Sequence, residues 1–304
     1  MTTGTTVRVD GRQLSLSNLD KVLYPATGFT KGQVIAYYRG VAPVLLPHLA
    51  GRPLTLKRYP NGVDDKFFYE KRCPSHRPEW VRVAPIWSGR NKAEVPYCVV
   101  GDLPTLVWVA NLASLELHTS LSRADDINRP TMVVFDLDPG PPATIVECCR
   151  LGLRLRDLFE RLGLEVFAKT SGSKGLQLYA PLNTPVTYDG GTKDFALAVA
   201  QLFERRFPDE VVSSMKKELR PGKVLIDWSQ NDEHKTTVCV YSLRAKDRPT
   251  VSTPVTWEEV ARTADDGDAD RLVFDADAVL ERVARLGDLF AGLNELEQKL
   301  PSLG

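Results

Sequence analysis

Hydrophobic and polar positions along the chain alternate between short strand-like runs and longer runs with helical spacing. The clearest strand is VVFDLD (133–138), a β-branched and apolar run that stops at Pro139-Gly140. A helix is predicted over 144–163 and a second strand over 164–169, which gives a strand–helix–strand unit. LQLYAP (176–181) predicts a further strand. The middle of the chain is therefore expected to mix helices with strands.

The segments on either side extend this mixed pattern. Thr30 is suited to cap a helix through KGQVIAYYRGVAPVLL, which Pro47 is expected to end. Strands at 223–228 and 236–243 are predicted to form a hairpin across the polar turn SQNDEHK. The other patterned segments are a strand over 53–60, an extended aromatic segment over 66–71, a helix over 193–207 and a helical tail over 257–300. We expect an α+β or mixed α/β fold in which one central sheet collects these strands.

Composition is that of an ordinary globular protein. The chain has 304 residues, 43% of them hydrophobic and 26% charged, which allows one large domain or two smaller ones that share a cleft. Because 39 basic residues balance 39 acidic ones, a nucleic-acid ligand would need local basic patches. The N-terminus is polar, and no run approaches the roughly 18 apolar residues of a membrane span. We therefore expect a cytoplasmic protein with no membrane partner.

The cysteines give no sign of a structural cross-link. There are five, an odd number, and no two of them have C-x-x-C spacing. A zinc site and a disulfide framework are both unexpected, and a reducing compartment is the natural one. The five are Cys73, Cys98, Cys148, Cys149 and Cys239.

The strand VVFDLD carries the first candidate chemistry. Asp136 and Asp138 are two residues apart, so both carboxylates project from one face with Cα atoms about 7 Å apart. Two divalent ions about 3.5–4 Å apart could share such oxygens in a phosphoryl displacement. The alternative is that the two acids only end a strand and cap the turn at Pro139-Gly140. The spacing by itself does not decide between them.

Two further motifs follow in the chain. KTSGSKGLQLY (169–179) links two strands through a Gly/Ser turn whose N–H groups, hydroxyls and Lys174 suit a polyphosphate, although it could be a plain hairpin turn. It is not a Walker loop, because it leads into a strand. Asp227 ends the apolar run in VLIDWSQN, with Gln230 just after it and Arg220 and Arg244 on its flanks. The lysines nearby, at 216, 217 and 223, could be an ordinary solvated loop.

The order of these three motifs resembles that of the archaeo-eukaryotic primase superfamily, and more closely the polymerase domain of bacterial ligase D. The likeness runs from about Leu14 to Leu289 and includes the segments 18–31 and 52–71. It implies an α+β, archaeo-eukaryotic primase-type fold with a central mixed sheet flanked by helices and an N-terminal α/β subregion. It also implies one catalytic domain over 1–304. The parts of this domain would be a DNA-binding subregion at about 1–125, a catalytic core at about 126–250 and a C-terminal helical segment at about 251–304.

The resemblance implies a role for each matching residue. Asp136, Asp138 and Asp227 would be the catalytic carboxylates that hold two divalent ions, Mn²⁺ or Mg²⁺. The residues implied to bind the incoming nucleotide are Ser171, Lys174, Gln177, Arg220, Gln230, Arg244, Lys57 and His118. Those implied to bind the downstream 5′-phosphate or to stack on template bases are Asn18, Lys21, Lys31, Phe67 and Phe68. Without the resemblance these lysines are ordinary surface residues, and the aromatic pair could serve core packing.

The implied activity is template-directed nucleotidyl transfer that fills short gaps during non-homologous end joining, with a preference for ribonucleotides. One ion would lower the pKa of the primer 3′-hydroxyl, and the other would neutralise charge on the triphosphate. The implied partners are gapped or broken duplex DNA with a downstream 5′-phosphate, NTP or dNTP, and a DNA ligase or end-binding protein. The implied location is the bacterial nucleoid.

Two departures from the family are visible in the sequence. Its second motif normally carries a histidine where this chain has Gln177, which can donate a neutral hydrogen bond but cannot become a cation. We expect Gln177 to keep the contact geometry and to hold phosphate less tightly. The chain is also shorter than ligase D, and we expect a stand-alone paralogue rather than an excised domain.

Two rival functions stay open at this point. A non-catalytic module for DNA ends or gaps could share the fold, although clustered carboxylates would then have no evident use. A phosphatase of the haloacid dehalogenase type also begins with D-x-D after an apolar strand, but the downstream residues of that fold do not occur here in order.

Overall fold

The computed structural model describes residues 4–89 and 91–301. The chain divides into two compact units, each of which is discontinuous in sequence. The first unit comprises the chain up to Ser120 together with Val238–Val251 and Phe274–Asp288. The second unit comprises Leu121–Thr237, Ser252–Val273 and the chain from Leu289 onward. The C-terminal segment is therefore shared between both units.

Short strands make up much of both units. Those in the first part of the chain are β1 (Thr5–Val9), β2 (Arg12–Leu16), β3 (Val22–Tyr24), β4 (Phe29–Thr30), β5 (Leu54–Arg58), β6 (Phe68–Glu70), β7 (Val83–Ser88), β8 (Ala93–Cys98) and β9 (Ser114–Thr119). Those that follow are β10 (Ser122–Arg123), β11 (Asp126–Pro130), β12 (Met132–Pro139), β13 (Phe167–Thr170), β14 (Leu176–Pro181), β15 (Val211–Val212), β16 (Val224–Asp227), β17 (Thr237–Val238) and β18 (Pro254–Val255).

Side chains cap the N-termini of five of the seven α-helices among the described residues. Thr30 caps the first helix with a reciprocal pair of bonds to Gln33, as its sequence position predicted. The helices are α1 (Lys31–Leu49), α2 (Leu103–Asn111), α3 (Ile145–Arg161), α4 (Lys193–Arg206), α5 (Trp257–Asp266), α6 (Ala276–Leu286) and α7 (Gly292–Glu295). Pro47 was expected to end α1, and this is wrong. Pro47 lacks one N–H, but its neighbours keep the helix going, and the N–H of Ala50 still donates to the oxygen of Leu46 at 3.0 Å.

The second unit is built on a six-stranded sheet in the order β15–β16–β12–β14–β13–β18. β12 is antiparallel to both β14 and β16, while β15 runs parallel to β16. Phe135 on β12 contacts Phe159 on α3 and Phe195 on α4, with ring centroids 4.9 and 6.4 Å apart. Helices thus cover one face of β12, and alternation sends Asp136 and Asp138 to the other face. This mixed sheet flanked by helices confirms the predicted fold class.

The first unit has a sheet of its own, with the order β17–β9–β5–β8–β7 and with β6 beside β5. The strand predicted over 53–60 lies here as β5, and the run predicted over 236–243 contributes β17. The expectation that one sheet collects all the strands is therefore wrong for these two segments. The predicted hairpin of 223–228 with 236–243 is also wrong, because β16 pairs with β12. Periodicity shows that a segment is extended but not which strand it joins.

Cys73 and Cys98 form a disulfide, which corrects the expectation drawn from cysteine spacing. The two residues are 25 positions apart, and the fold of the first unit brings them together. Cys98 ends β8, and the N–H of Cys73 donates to the oxygen of Pro96 on the same strand at 2.7 Å. Cys148, Cys149 and Cys239 are buried. Within the described residues, none of the helices has the length and apolar character to cross a bilayer.

Candidate active site

Three carboxylates converge on one face of the sheet in the second unit. β12 places Asp136 directly opposite Asp227 of β16, and Asp138 lies two residues further along the same strand. One oxygen from each of the three side chains lies within 4.8 Å of the other two. Hard divalent cations are bound by carboxylate oxygens clustered in this way. The structure thus brings together the three residues predicted to hold metal.

Asp136 has the environment that fits a cation most clearly. Burial and the charges of Asp138 and Asp227 raise its pKa from the ordinary 3.8 to about 7, against the opposing effect of a hydrogen bond from Gln177. Its Oδ1 atom is buried and has no hydrogen-bond partner among the described residues. A buried unpaired oxygen and the repulsion between carboxylates are both costly, and a bound divalent cation would relieve both. These residues therefore fit a divalent metal.

Asp227 is held by the turn that follows it. Its Oδ1 accepts hydrogen bonds from the N–H and the hydroxyl of Ser229 at 3.0 and 2.6 Å, and its Oδ2 accepts one from Nε2 of Gln230 at 2.8 Å. The buried amide of Asn231 donates to the oxygen of Val134 at 2.7 Å and accepts from its N–H at 2.9 Å. Gln230, predicted as a nucleotide contact, thus touches a carboxylate of the cluster. No sequence pattern indicated that Asn231 ties this turn to β12.

The SGSKG loop (171–175) connects β13 to β14, the strand that pairs with β12. The hydroxyl oxygen of Ser171 accepts from the N–H groups of Ser173 and Gly175 at 3.2 and 3.0 Å, which closes the loop. Gly175 lies so near the oxygen of Leu137 that a Cβ atom would overlap it, so the loop requires glycine there. Lys174 is exposed. The loop therefore presents an ammonium group beside the strand that carries the acids.

Arg220 lies in a segment that meets the end of β12. A Cβ on Gly140 would overlap the backbone oxygen of Arg220, and the N–H of Gly140 donates to the oxygen of Lys223 at 2.8 Å. One guanidinium nitrogen of Arg220 donates to the oxygen of Met215 at 2.6 Å. This packing fixes the Arg220 backbone next to the turn after Asp138.

In the first unit, Lys57, His118 and Arg244 meet around a carboxylate that sequence reasoning missed. Glu116 is 1% exposed and lies opposite Lys57 in the β5–β9 pair. Its oxygens lie 3.2 Å from Nζ of Lys57, 2.9 Å from Nε2 of His118 and 3.4 Å from Nε of Arg244. Burial favours a higher pKa for Glu116, but the hydrogen bond from His118 and the charges of Arg244 and Lys57 hold it well below the usual range. Burial in turn lowers the pKa of His118.

Aromatic rings project from both faces of the β6 segment. Phe67 is 49% exposed, and the Nζ atom of Lys57 lies 4.5 Å from its ring centroid. Phe68 is 42% exposed and lies beside the guanidinium of Arg58, 5.1 Å from its ring centroid. Tyr69 is 56% exposed. The alternative of core packing for Phe67 and Phe68 is therefore wrong, and both rings are open to stacking.

Asn18, Lys21 and Lys31 line one cavity of about 490 Å³ in the first unit. Arg58 and His76 line the same cavity, and the sequence predicted neither of them. Burial and the charges of Lys21 and Arg58 lower the pKa of Lys31 from 10.5 to about 8. No acidic residue is among the described residues that line this basic cavity. Such concentrated positive charge favours an anionic ligand.

Comparison with known proteins places this chain in a family. Residues 30–290 match the family model for the LigD primase-polymerase domain. The chain belongs to that family. It is 44% identical over 284 residues to the multifunctional non-homologous end joining protein LigD of Mycolicibacterium smegmatis, and 30% identical over 275 residues to the bifunctional LigD of Bacillus subtilis. These matches cover 93% and 90% of this chain but 36% and 43% of the two relatives, so the chain spans less than half of their length.

A solved member of the LigD family has the same fold. The polymerase domain of Mycobacterium tuberculosis ligase D, solved in complex with DNA, matches with a TM-score of 0.85 and 41% identity. The match covers 94% of this chain and 99% of that one. The resemblance predicted from the three motifs is confirmed. The class of enzyme predicted with it, a primase-polymerase, is the class that the family description names.

Proposed function

We propose that this chain is a template-directed nucleotidyltransferase that extends a primer strand across short gaps during repair of broken DNA. The observation that carries the proposal is the cluster of Asp136, Asp138 and Asp227, whose oxygens lie within 4.8 Å of one another. Its support is membership of a primase-polymerase family whose relatives are bacterial end-joining proteins. A chromosomal substrate implies the bacterial cytoplasm, at the nucleoid, as the place of action.

The chemistry requires divalent metal and donors for a triphosphate. Two Mn²⁺ or Mg²⁺ ions held by the three aspartates would activate the primer 3′-hydroxyl and offset the charge of the departing pyrophosphate. The exposed ammonium of Lys174, within the SGSKG loop, and the amide of Gln177, at the start of β14, provide hydrogen-bond donors. Arg220 is suited to bidentate contact with phosphate oxygens. Gln230 keeps the carboxylate of Asp227 oriented at 2.8 Å.

The first unit offers two sets of groups for substrate. Lys57, His118 and Arg244 are held by Glu116 in a fixed arrangement, and we assign them to the nucleotide. Exposed Phe67 and Phe68 are assigned to template bases, because an aromatic face stacks on any base. The implied preference for ribonucleotides rests on the family alone and is tested below.

The basic cavity lined by Asn18, Lys21 and Lys31 is assigned to the 5′-phosphate on the far side of a gap. A phosphate monoester is a dianion above about pH 6, and buried cations bind it strongly. The solved relative is a complex with DNA, which supports DNA as the ligand. Contacts of this kind weaken as salt concentration rises. A DNA ligase or an end-binding protein would be the natural further partner, since a filled gap must still be sealed.

Binding to a 5′-phosphorylated gap is expected to weaken about fivefold between pH 7 and pH 9, roughly 1 kcal/mol for one charged contact. Lys31, with a pKa of about 8, is a cation at the lower pH and neutral at the higher one. Arginine keeps its charge over this range, so Lys31→Arg should flatten the profile. Fluorescence anisotropy at constant ionic strength measures the affinity. The same pH dependence on an unphosphorylated gap would contradict the role of Lys31.

Primer extension on a gapped duplex tests the function itself. With Mn²⁺ and single nucleotides, the parent protein is expected to add residues up to the downstream 5′-phosphate, and ribonucleotides should give the higher kcat/KM. The double variant Asp136→Ala plus Asp138→Ala should add none. Equal use of ribo- and deoxyribonucleotides would overturn the sugar preference while leaving the activity intact.

The same assay separates the two rival functions. Metal-independent DNA binding without any extension would identify a non-catalytic gap-binding module. Release of phosphate from a phosphomonoester without nucleotide incorporation would identify a phosphatase. Extension that depends on all three carboxylates supports the polymerase and neither of these.

A further inference from the structure

Lys169 is a buried lysine in the strand row that carries the carboxylates, and the function proposed above assigns it no role. Lys169 is only 1% exposed to solvent. β13 places it directly opposite Gln177 on β14, and Gln177 lies directly opposite Asp136 on β12. Residues opposite each other on antiparallel strands share a face of the sheet. Lys169, Gln177, Asp136 and Asp227 therefore form one row across four strands, on the face of the candidate metal site.

Hydrogen bonds fix the amide of Gln177 in one orientation. The ammonium of Lys169 donates to Oε1 of Gln177 and to the hydroxyl of Ser252, the second at 2.6 Å. The hydroxyl of Tyr179 also donates to Oε1 of Gln177, at 3.4 Å. On its other side, Gln177 lies directly opposite Asp136 on β12, and a carboxylate can accept a hydrogen bond only from the NH₂ group. The amide oxygen therefore faces Lys169, and the amide nitrogen faces the acids.

The burial of this lysine calls for a functional explanation. A lysine is almost never fully buried unless it is paired, because desolvation of its charge is costly. Two of the groups that accept hydrogen bonds from it, the amide of Gln177 and the hydroxyl of Ser252, are neutral. The negative charges that face it across the row are the carboxylates of the candidate metal site. The desolvation cost of the Lys169 charge is thus offset by its attraction to the acids that the metal site requires.

We propose that Lys169 is a positioning residue for nucleotide binding: it turns the NH₂ group of Gln177 toward the acids and the triphosphate. This inference rests on the proposed function, since it assumes that a nucleotide binds at this face. The contact of Gln177 with phosphate then depends on Lys169.

A double-mutant cycle tests this dependence. The variants are Lys169→Met, Gln177→Leu and both together, each nearly isosteric with the parent, and Lys299→Met is the control because it removes an exposed lysine from the same unit. Lys169→Met is expected to raise the KM for ATP about tenfold with kcat changed less than about threefold, the size of one lost hydrogen bond to a charged group. Gln177→Leu should raise the KM for ATP by a similar factor. The double variant should also show a KM for ATP raised about tenfold, rather than about a hundredfold. The reason is that both changes remove the same contact, that of Gln177 with the phosphate.

Binding measurements without catalysis distinguish the outcomes. Equilibrium titration of ATP in the presence of Mn²⁺ reports nucleotide affinity even if the protein extends no primer, so failure of the proposed function does not conceal the result. Titration of Mn²⁺ alone at about pH 8.5 should show no loss of affinity in Lys169→Met, because removal of a nearby positive charge does not weaken cation binding. Parallel loss of Mn²⁺ and ATP affinity would mark a merely structural lysine and overturn the inference. Additive losses in the double variant, or an unchanged KM in Lys169→Met, would overturn it as well.

Discussion

Asp136→Asn is expected to reduce primer extension about a thousandfold or more and, in the absence of metal, to make the protein more stable at pH 8. The loss follows because a neutral amide is a poor ligand for the divalent ions that the cluster fits, and metal stabilisation of a phosphoryl transition state amounts to several kcal/mol. The gain follows because Asp136 is charged at that pH in a place that disfavours charge. A side chain that costs stability and is required for activity is the signature of a functional site.

The pH dependence of this gain has a definite sign. The pKa of Asp136 is about 7 in the folded protein, above the ordinary 3.8 of an unfolded chain. Between these values the unfolded state has lost the proton and the folded state still holds it, so the parent loses stability as pH rises and levels off above pH 7. A pKa difference of this size corresponds to about 4 kcal/mol in the free energy of unfolding. Because a buried amide retains part of the burial cost, we expect Asp136→Asn to raise the free energy of unfolding by ~2 kcal/mol at pH 8. The gain should shrink as pH falls toward 4.

Urea unfolding at several pH values, with a chelator present, measures this difference. Asp157→Asn on α3 is a matched control, because Asp157 is exposed and its substitution should leave both stability and activity unchanged. Saturating Mn²⁺ should make the parent more stable than Asp136→Asn, since the metal stabilises the parent and not the variant. An Asp136→Asn protein that is less stable than the parent at pH 8 would show that the carboxylate is paired rather than poised for metal.

Much of the second unit's site could be predicted because its signals are local. The apolar run before Asp136 and the spacing of two to Asp138 are enough to place both acids on one face of a strand, and β14 spans the residues predicted, Leu176–Pro181. The glycine at 175 marks a turn in the sequence, but what requires it is a contact with a distant segment, its close approach to Leu137 on β12. What the resemblance added was the link between Asp227 and these two acids, because no local pattern connects Asp227 to β12.

The parts that could not be predicted depend on contacts between distant segments. Strand periodicity did not reveal that β16 and β17 belong to different sheets, nor that Cys73 meets Cys98. Lys169 stands in the sequence as one more lysine before a turn, and its importance appears only when the register sets it opposite Gln177. Pairing energies across strands are set by neighbours that the sequence does not identify. Prediction therefore placed segments on strands and turns but did not identify their partners in the fold.

Glu116 is the strongest case of such a hidden partner, and Glu116→Gln is expected to lower the free energy of unfolding by ~3 kcal/mol at pH 7. The substitution keeps the shape of the side chain but leaves Lys57, His118 and Arg244 crowded around a neutral amide. Breaking a buried ion pair by removal of one partner costs this much because the remaining charges stay desolvated. We also expect the KM for the nucleotide to rise about tenfold or more, since Lys57, His118 and Arg244 lose the group that orients them.

The pH profile separates this explanation from a simple packing defect. The partners of Glu116 hold its pKa below the usual range, so its contribution to stability is complete above the unfolded value of about 4.5 and is lost as pH falls below it. The stability difference between parent and Glu116→Gln should therefore be constant from about pH 5 to 7 and shrink in acid. Chemical denaturation measures it, with Glu94→Gln as the control because Glu94 is exposed on β8 of the same unit.

Adding Lys57→Met to Glu116→Gln should recover part of the stability, because one uncompensated charge is then removed, but not the nucleotide affinity. Recovery of both would mean that Lys57 has no part in nucleotide binding, and an unchanged difference down to pH 3 would mean that the carboxylate charge of Glu116 does not hold the cluster together.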